Sequence, residues 1–471
     1  MEFVSAAFLF LFVITYLLCR KIKDERKRHT LLLGASFIFC GYWDFRFPLF
    51  LGGQTAVFYI LGRKIESESK KKKRIFFLLG LTLAVVTLGY FKYLNFFLDS
   101  VYMIIGFGRF EGLNIVLPIG ISYYTLQAVS YVTDIYKGNI QAEKSWINVA
   151  LYLTFFPKFL AGPIARTKDF FAQLHEQKKM DNQALWEGFQ IFLFGLLKKT
   201  VIADRLAIGV DAVFQAPEIY SGVSIACAVV LYVIQLYCDF SGYSDMAVGV
   251  ARAFDYRLER NFNLPYISRN MTEMWKRWHI SLSGWLMEYV YIPLGGNRKG
   301  KARTFLNLML VMLLGGLWHG ASWNFILWGA VQGAALCVHK ALRYKEGRKT
   351  ERDGKKYRSR MTEGFSICLT FGFWCISFLP FRASSLKDTG IMLMRILTCA
   401  DGISYFYTYG AAYLILVMAA VIAASIKNGK EGFYILLPAQ KTISFFWIFL
   451  VIFLILIFFY GGDSAFIYAQ F

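Results

Sequence analysis

The chain has 471 residues, of which 57% are hydrophobic and 18% are aromatic, and its mean hydropathy is +0.45. Soluble domains are only about 45–50% apolar, so this composition excludes an ordinary soluble protein. The net charge of +21 would fit a nucleic-acid-binding protein, but the basic residues cluster in short stretches beside apolar runs, which is the pattern of membrane proteins. We therefore expect a lipid bilayer around the chain and no nucleic acid as a partner.

The apolar residues form runs of membrane-spanning length. A helix crosses a hydrocarbon core about 30 Å thick with about 20 apolar residues, and we count roughly ten to twelve such runs. The first, residues 3–19, is followed by its basic residues and lacks a small-residue cleavage site, so we expect a retained span and not a signal peptide. Basic clusters at 20–28, 70–74, 340–360 and 427–430 mark cytoplasmic loops, which places the chain's end outside.

Two segments in the first half make poor simple spans. Residues 116–136 (VLPIGISYYTLQAVSYVTDIY) and 152–166 (YLTFFPKFLAGPIAR) combine apolar residues with Pro, Gly and isolated charges. Irregular backbone at membrane depth is tolerated only where protein buries it or where it lines a wet cavity. We therefore expect re-entrant or broken helices around an internal cavity, with ordinary kinked spans as the alternative.

A cluster of polar residues follows the apolar run 223–237. It contains Asp239, Ser241 and Asp245, in the stretch YCDFSGYSDMAVG. Two carboxylates at the end of a span could orient a histidine. The alternative is that Asp239 and Ser241 cap the next helix or form a turn.

His279 lies in the stretch NMTEMWKRWHISLSGWLMEYV. It shares one face of a predicted helix with apolar residues spaced at i, i+3, i+4, i+7 and i+11, while the cations Lys276 and Arg277 lie off that face. The pattern predicts an amphipathic helix at the membrane interface with the histidine on its buried side. A histidine on an apolar face is more often a core residue than a catalyst. The remaining face residues are Trp275, Trp278, Leu282 and Leu286.

His319 lies in a much longer apolar stretch, TFLNLMLVMLLGGLWHGASWNFILWG. It is sixteen residues beyond Arg303, the nearest upstream charge, which corresponds to about 24 Å along a helix and places the ring deep in the bilayer. An ionisable group at that depth is costly and is a functional candidate by default. The neighbouring glycines allow close approach of a helix or a substrate chain. A structural histidine, hydrogen-bonded across helices, is the alternative.

Other known catalytic and ligand-binding motifs are incomplete or absent in this sequence. Residues 295–302 (GGNRKGKA) have the spacing of a phosphate-binding loop but lack its Ser or Thr, so we expect a basic cytoplasmic turn. GxSxG, HExxH and CxxC motifs do not occur, and most of the eight cysteines lie in apolar runs; we expect no disulfide framework and no metal site. We place His29, His175 and His339 at the solvent or the interface.

These stretches resemble the membrane-bound O-acyltransferase (MBOAT) family, and within it the type that O-acetylates alginate. The D-alanyl transfer proteins of teichoic acid synthesis are similar as well. The resemblance covers most of the chain after Pro157 and rests on FPKFLAGPIAR, CDFSGYSDMAVG, NFNLPYISRNMTEMWKRWHISLSGWLMEYVYIPLGG, GGLWHGASWNFILWG and FIYAQF. The GGNRKGK stretch is more similar to the acetylating branch.

The resemblance implies an all-α polytopic membrane protein of one domain, residues 1–471, with helices around a central funnel. Within it, residues 1–339 would carry the catalytic segments, 340–361 a basic cytoplasmic loop, and 362–471 the last spans and an extracellular tail. It also implies that His319, in the WHG motif, is the essential catalytic residue and that His279 is the second. The supporting residues are Asp239, Ser241, Asp245, Trp318 and Trp275.

The reaction implied is transfer of an acyl group, most simply acetyl, from a cytosolic thioester to a hydroxyl outside. His319 would act as the general base and His279 would stabilise the oxyanion. The donor, acetyl-CoA or an acyl-carrier thioester, would be a substrate and not a tightly bound cofactor. Its phosphates would be held by cations that otherwise only anchor the protein to the membrane, namely Lys276, Arg277, Arg298 and Lys299.

The chain ends in SAFIYAQF, an aromatic tail that we expect to fold back into the protein from outside. The resemblance implies that Tyr468 accepts the acyl group and passes it to a secreted or membrane-tethered transferase of the SGNH type, for O-acylation of a cell-envelope polymer. The alternative is that Tyr468 is an interfacial anchor. Rival functions are D-alanyl transfer to teichoic acid, a transporter, and a scaffold without bond-making. The expected location is the inner or plasma membrane of a bacterium.

Overall fold

The computed structural model describes residues 1–353, 360–404 and 442–459. Every regular element in these ranges is helical, as expected in lipid, where a helix satisfies its own backbone hydrogen bonds. The predicted all-α class is confirmed. The chain divides into two compact units. The first comprises Met1–Leu196, Tyr243–Glu259 and Pro438–Phe445, and the second comprises Leu197–Gly242, Arg260–Leu437 and Phe446–Phe471.

The first unit is built mainly from the N-terminal helices. Helix α1 begins after the N-cap Ser5, whose side chain accepts a hydrogen bond from the amide of Phe8. It is followed by the helix that Asp24 caps in the same way. The helices are α1 (Ala6–Lys21), α2 (Glu25–Gly41), α3 (Arg46–Ser67), α4 (Lys70–Leu88), α5 (Leu94–Ile104), α6 (Ile121–Lys137), α7 (Trp146–Thr154), α8 (Thr167–Leu174) and α9 (Asn182–Leu197), and a π-helical turn, π1 (Gly89–Tyr93), joins α4 to α5.

Later helices build most of the second unit. Two further π-helical turns, π2 (Lys198–Ala203) and π3 (Met287–Tyr291), lie before α10 and after α13. The helices are α10 (Asp204–Gln215), α11 (Gly222–Ala253), α12 (Met271–Arg277), α13 (Ile280–Leu286), α14 (Lys301–His319), α15 (Trp323–Asp353), α16 (Arg360–Ser377), α17 (Leu379–Arg382), α18 (Leu386–Leu397) and α19 (Thr442–Phe458).

Five described helical segments are long and apolar enough to cross a membrane. This confirms a multi-pass membrane protein, while the total of ten to twelve spans and the central funnel stay predictions. The five are Lys70–Ile104, Gly222–Ala253, Lys301–His319, Trp323–Tyr344 and Met361–Arg382.

The two segments predicted to be broken differ. After α7 ends at Thr154, residues 155–166 form buried turns, in which the ammonium of Lys158 donates to the side chain of Gln127 and to the carbonyl of Tyr152. This break is confirmed. In residues 116–136 the prediction is wrong beyond Gly120, because Pro and Gly lie only at the start and the sequence from Ile121 onward forms the regular helix α6.

Helices α14 and α15 pack closely because glycines lie where they meet. A Cβ at Gly316 would collide with the carbonyl of Phe325, and one at Gly329 would collide with the carbonyl of Met312. The close approach is therefore to a protein neighbour. Helix α15 runs on to Asp353, so the stretch predicted as a loop from residue 340 begins as helix, since Ala, Leu, Arg, Lys and Glu are good helix formers.

Candidate active site

The side chains of His279 and His319 meet in the second unit. Their ring centres are 6.4 Å apart, and the two residues are 0% and 4% exposed. His319 is the last residue of α14, as its predicted depth on a continuous helix required. Aromatic rings surround the pair: Trp318 lies 5.1 Å from the ring of His319 and 6.0 Å from that of His279. Both predicted histidines thus belong to one site.

His279 lies at a break between two short helices, which corrects the continuous helix predicted from its apolar face. Helix α12 ends at Arg277, α13 begins at Ile280, and His279 has φ 44° and ψ 53°, in the left-handed region. This conformation costs a non-glycine residue about 1–3 kcal/mol and is typical of functional sites. The face was correctly predicted to be buried, but periodicity could not reveal the break.

Asn261 holds this break in place. Its carbonyl accepts a hydrogen bond of 2.8 Å from the amide of Ile280, and its side-chain oxygen accepts one of 2.6 Å from the hydroxyl of Ser281. Both Asn261 and Ser281 are 1% exposed. Asn261 was not predicted as a site residue, and its only signal in the sequence is a short polar side chain in the NFNLP stretch.

A buried ionic cluster lies beside the histidines. The Lys199 ammonium contacts the carboxylates of Asp204 at 2.8 Å and Asp239 at 2.7 Å. Its neighbour Lys198 donates a 2.9 Å hydrogen bond to the Ser241 hydroxyl. Because α11 continues to Ala253, Asp239 and Ser241 lie inside a helix, so the alternative of a cap or turn is wrong. Lys198 and Lys199 were not predicted as site residues. Their signal in the sequence is a pair of adjacent cations between two apolar runs.

A second aromatic layer backs His319. Trp328 and Phe381 lie 5.1 and 5.3 Å from its ring. Trp275 packs at 5.9 Å against Trp328 and donates from its indole nitrogen to Gln332 at 3.3 Å. Trp318 therefore contacts both imidazoles, while Trp275 acts one layer further out.

A cavity of about 700 Å³ adjoins this site. Its walls are largely apolar, they include Trp275 and Ile280, the residue after His279, and its cations are Lys276, Arg298 and Lys340. Two of the four predicted donor-binding cations therefore line it.

The other two predicted donor-binding cations, Arg277 and Lys299, do not line the cavity. Arg277 forms a 2.9 Å ion pair with Glu273. Partial burial opposes ionisation of this carboxyl, but hydrogen bonds from the amide of Arg269 and from Arg277 lower the pKa of Glu273.

The remaining predicted residues lie elsewhere. Asp245 is buried further along α11, in the first unit, and Tyr468 lies outside the described residues. His175 is exposed as predicted, and His339 is half-buried, with a 2.7 Å hydrogen bond to Thr272. The surface assignment of His29 is wrong: it is 4% exposed and bonded to Asn148 at 3.0 Å, because α2 buries one face of its charged stretch.

Comparison with known proteins identifies relatives of this chain. Residues 121–344 match the model of the MBOAT, membrane-bound O-acyltransferase, family. A probable alginate O-acetylase of Pseudomonas aeruginosa is 40% identical over 82% of this chain and 73% of its own length. The peptidoglycan O-acetyltransferase of Helicobacter pylori is 35% identical over 79% and 74%. The teichoic acid D-alanyltransferase of Bacillus subtilis is 27% identical over 57% and 69%.

Proposed function

The chain belongs to the membrane-bound O-acyltransferase family and is an acyltransferase, and from this premise we propose that it transfers acetyl groups from a cytosolic thioester for O-acetylation of an extracellular polysaccharide or cell-wall polymer. The observation that carries the proposal is the meeting of His279 and His319 at 6.4 Å in a site closed by aromatic rings. The proposed location is the inner or plasma membrane of a bacterium.

In the proposed reaction, His319 removes the proton from an acceptor hydroxyl as its oxygen attacks the thioester carbonyl. The C–O bond forms, the C–S bond breaks, and the proton passes from His319 to the departing thiolate. His279 donates a hydrogen bond to the carbonyl oxygen while it carries negative charge. Both rings are buried, and in its neutral form the imidazole of His319 has a ring nitrogen that can accept this proton.

We place the donor in the cavity beside α12 and α13. Lys276, Arg298 and Lys340 supply positive charge for the phosphates of coenzyme A or of a carrier-protein pantetheine arm. The apolar wall, which reaches Trp275 and Ile280, suits the uncharged pantetheine chain. In this placement the thioester lies at the end of the cavity that Ile280 lines, next in the chain to the strained His279.

The first acceptor in this proposal is the hydroxyl of Tyr468, with a transferase of the SGNH type as the next. A phenol has a pKa near 10 and needs a base to attack at neutral pH, which is the role given to His319. The resulting aryl ester is activated enough to hand the acetyl group onward. The alternatives are a tail that only anchors the protein and a hydroxyl of the polymer as the direct acceptor.

Acetyl is favoured over D-alanyl by the relatives. The acetylating relatives are 35–42% identical, while the D-alanyltransferases are 27–30% identical over 56–57% of the chain. D-alanyl transfer to teichoic acid is therefore the second candidate function.

The deciding experiment uses the full chain in vesicles, with acetyl-CoA and D-alanyl carrier protein offered separately at the cytoplasmic face. We expect acetyl transfer or slow hydrolysis with acetyl-CoA alone. D-alanyl transfer alone would reverse the assignment. Movement of substrate without thioester cleavage would favour a transporter, and no activity together with normal polymer acetylation in cells carrying His319→Ala would favour a scaffold.

A further inference from the structure

Phe240 connects the buried ionic cluster to the histidine site. Its ring lies edge-on to the imidazole of His279, with ring centres 4.7 Å apart, and edge-on to Phe262 at 5.1 Å. Phe240 and His279 are both 0% exposed. In so close-packed an interior, a shift of the phenyl ring must be followed by the imidazole.

Both residues next to Phe240 in the chain are bound by lysines. The ammonium of Lys199 forms a 2.7 Å ion pair with the carboxylate of Asp239. The ammonium of Lys198 donates a 2.9 Å hydrogen bond to the hydroxyl of Ser241. Consecutive residues on a helix point about 100° apart, so these two contacts lie on opposite flanks of Phe240. Together they resist rotation of α11 about its axis in either direction.

The lysines come from the π-helical turn π2, which begins at Lys198. π-Helical turns are rare in proteins overall, and those that occur often lie at functional sites. The cluster contains two ammonium groups and the carboxylates of Asp204 and Asp239, and all four residues are at most 7% exposed. Buried charges are costly unless paired, and Lys199 pairs with both carboxylates, so movement of α11 away from Lys199 would cost the buried carboxylate of Asp239 this partner.

We propose that Lys198 and Lys199 form a clamp on α11 that positions Phe240 against the imidazole of His279 and so fixes the direction of its hydrogen bond to the acyl oxygen. Lys198, Lys199 and Phe240 are positioning residues, since they act through His279. The inference rests on the proposed role of His279, and the experiment separates the two.

Two variants test the clamp in reconstituted full-length protein. Phe240→Leu removes the ring. Lys199→Met with Asp204→Asn removes one charge of each sign and releases Asp239 without changing the net charge of the cluster. We expect each to lower kcat about tenfold to a hundredfold, the loss typical of a small misplacement, with KM for acetyl-CoA within about twofold. Tyr232→Leu is the matched control, because Tyr232 is equally buried on α11 and packs against Phe214.

A double-mutant cycle with His279→Asn provides the second measurement. If the clamp acts through the imidazole, Phe240→Leu will cost little more once His279 is replaced. The inference is overturned if Phe240→Leu lowers kcat no more than Tyr232→Leu does, or if its effect is undiminished in the His279→Asn background. If the double charge variant does not accumulate in the membrane, Lys198→Met, which removes the contact to Ser241, replaces it as the test of the clamp, and a kcat no lower than that of Tyr232→Leu overturns the inference. Unchanged kcat in both His279→Asn and His279→Ala would instead reject the proposed role of His279.

Discussion

The imidazole of His319 is 6.4 Å from that of His279, ring centre to ring centre, with 61° between the ring planes. At this separation one small acyl group can contact both rings. One ring then lies on the side of the attacking hydroxyl, and the other lies on the side of the acyl carbonyl oxygen. The two rings therefore need not be equivalent, and replacing them should have different consequences.

His319→Ala should abolish acyl transfer while the protein stays in the membrane. Loss of a general base costs about 10²–10⁴-fold in rate, and the rings of Trp318, Trp328 and Phe381 would still pack around the vacated space. The measurement is acetyl transfer from labelled acetyl-CoA at matched protein levels. His175→Ala, at an exposed histidine, is the control and should be active; transfer at the wild-type rate by His319→Ala would remove this residue from the mechanism.

His279→Ala should lower kcat about 10²–10³-fold, as loss of an oxyanion donor does, and His279→Asn should retain more activity. The Asn amide can still donate a hydrogen bond, and Asn also tolerates the left-handed conformation of this position better than Ala does. Comparison of kcat for the two variants checks the donor role. Equal activities would argue against it.

Lys276→Gln and Arg298→Gln should each raise KM for acetyl-CoA about twofold to fivefold, with little change in kcat, because exposed ionic contacts contribute about 0.2–1 kcal/mol. Added salt should reduce the difference from wild type. The chain supplies matched controls in Arg277→Gln and Lys299→Gln, which remove the same charge from residues that do not line the cavity. A KM that rises equally in all four variants would mean that only general surface charge matters.

Tyr468→Phe should abolish polymer acetylation, because it keeps the ring and removes only the hydroxyl that would carry the acetyl group. The measurement is mass spectrometry of the cell-envelope polysaccharide, together with a search for acetylated Tyr468 in the purified protein. Tyr460→Phe removes the neighbouring tyrosine hydroxyl and should leave acetylation intact. Normal acetylation in the Tyr468 variant would show that the tail serves for packing.

The sequence by itself determined the membrane environment and the all-α class, and it singled out the two histidines as site candidates. These follow from local properties: the length of an apolar run decides whether it can cross a bilayer, and the helical spacing from Arg303 predicts the depth of His319. The family motifs predicted that the two histidines act in one reaction, and the structure brings their rings to 6.4 Å.

Only the tertiary structure decided which elements meet. Helical periodicity shows that a face is buried but not what covers it, so Lys198 and Lys199 gave no indication that they would bind the two flanks of Phe240. Likewise the sequence does not distinguish the four predicted donor-binding cations from one another. In the structure Lys276 and Arg298 line the cavity, whereas Arg277 and Lys299 do not. The left-handed backbone of His279 is followed by two residues, Ile280 and Ser281, that Asn261 binds, and these contacts span a loop and a helix that no helical periodicity encodes.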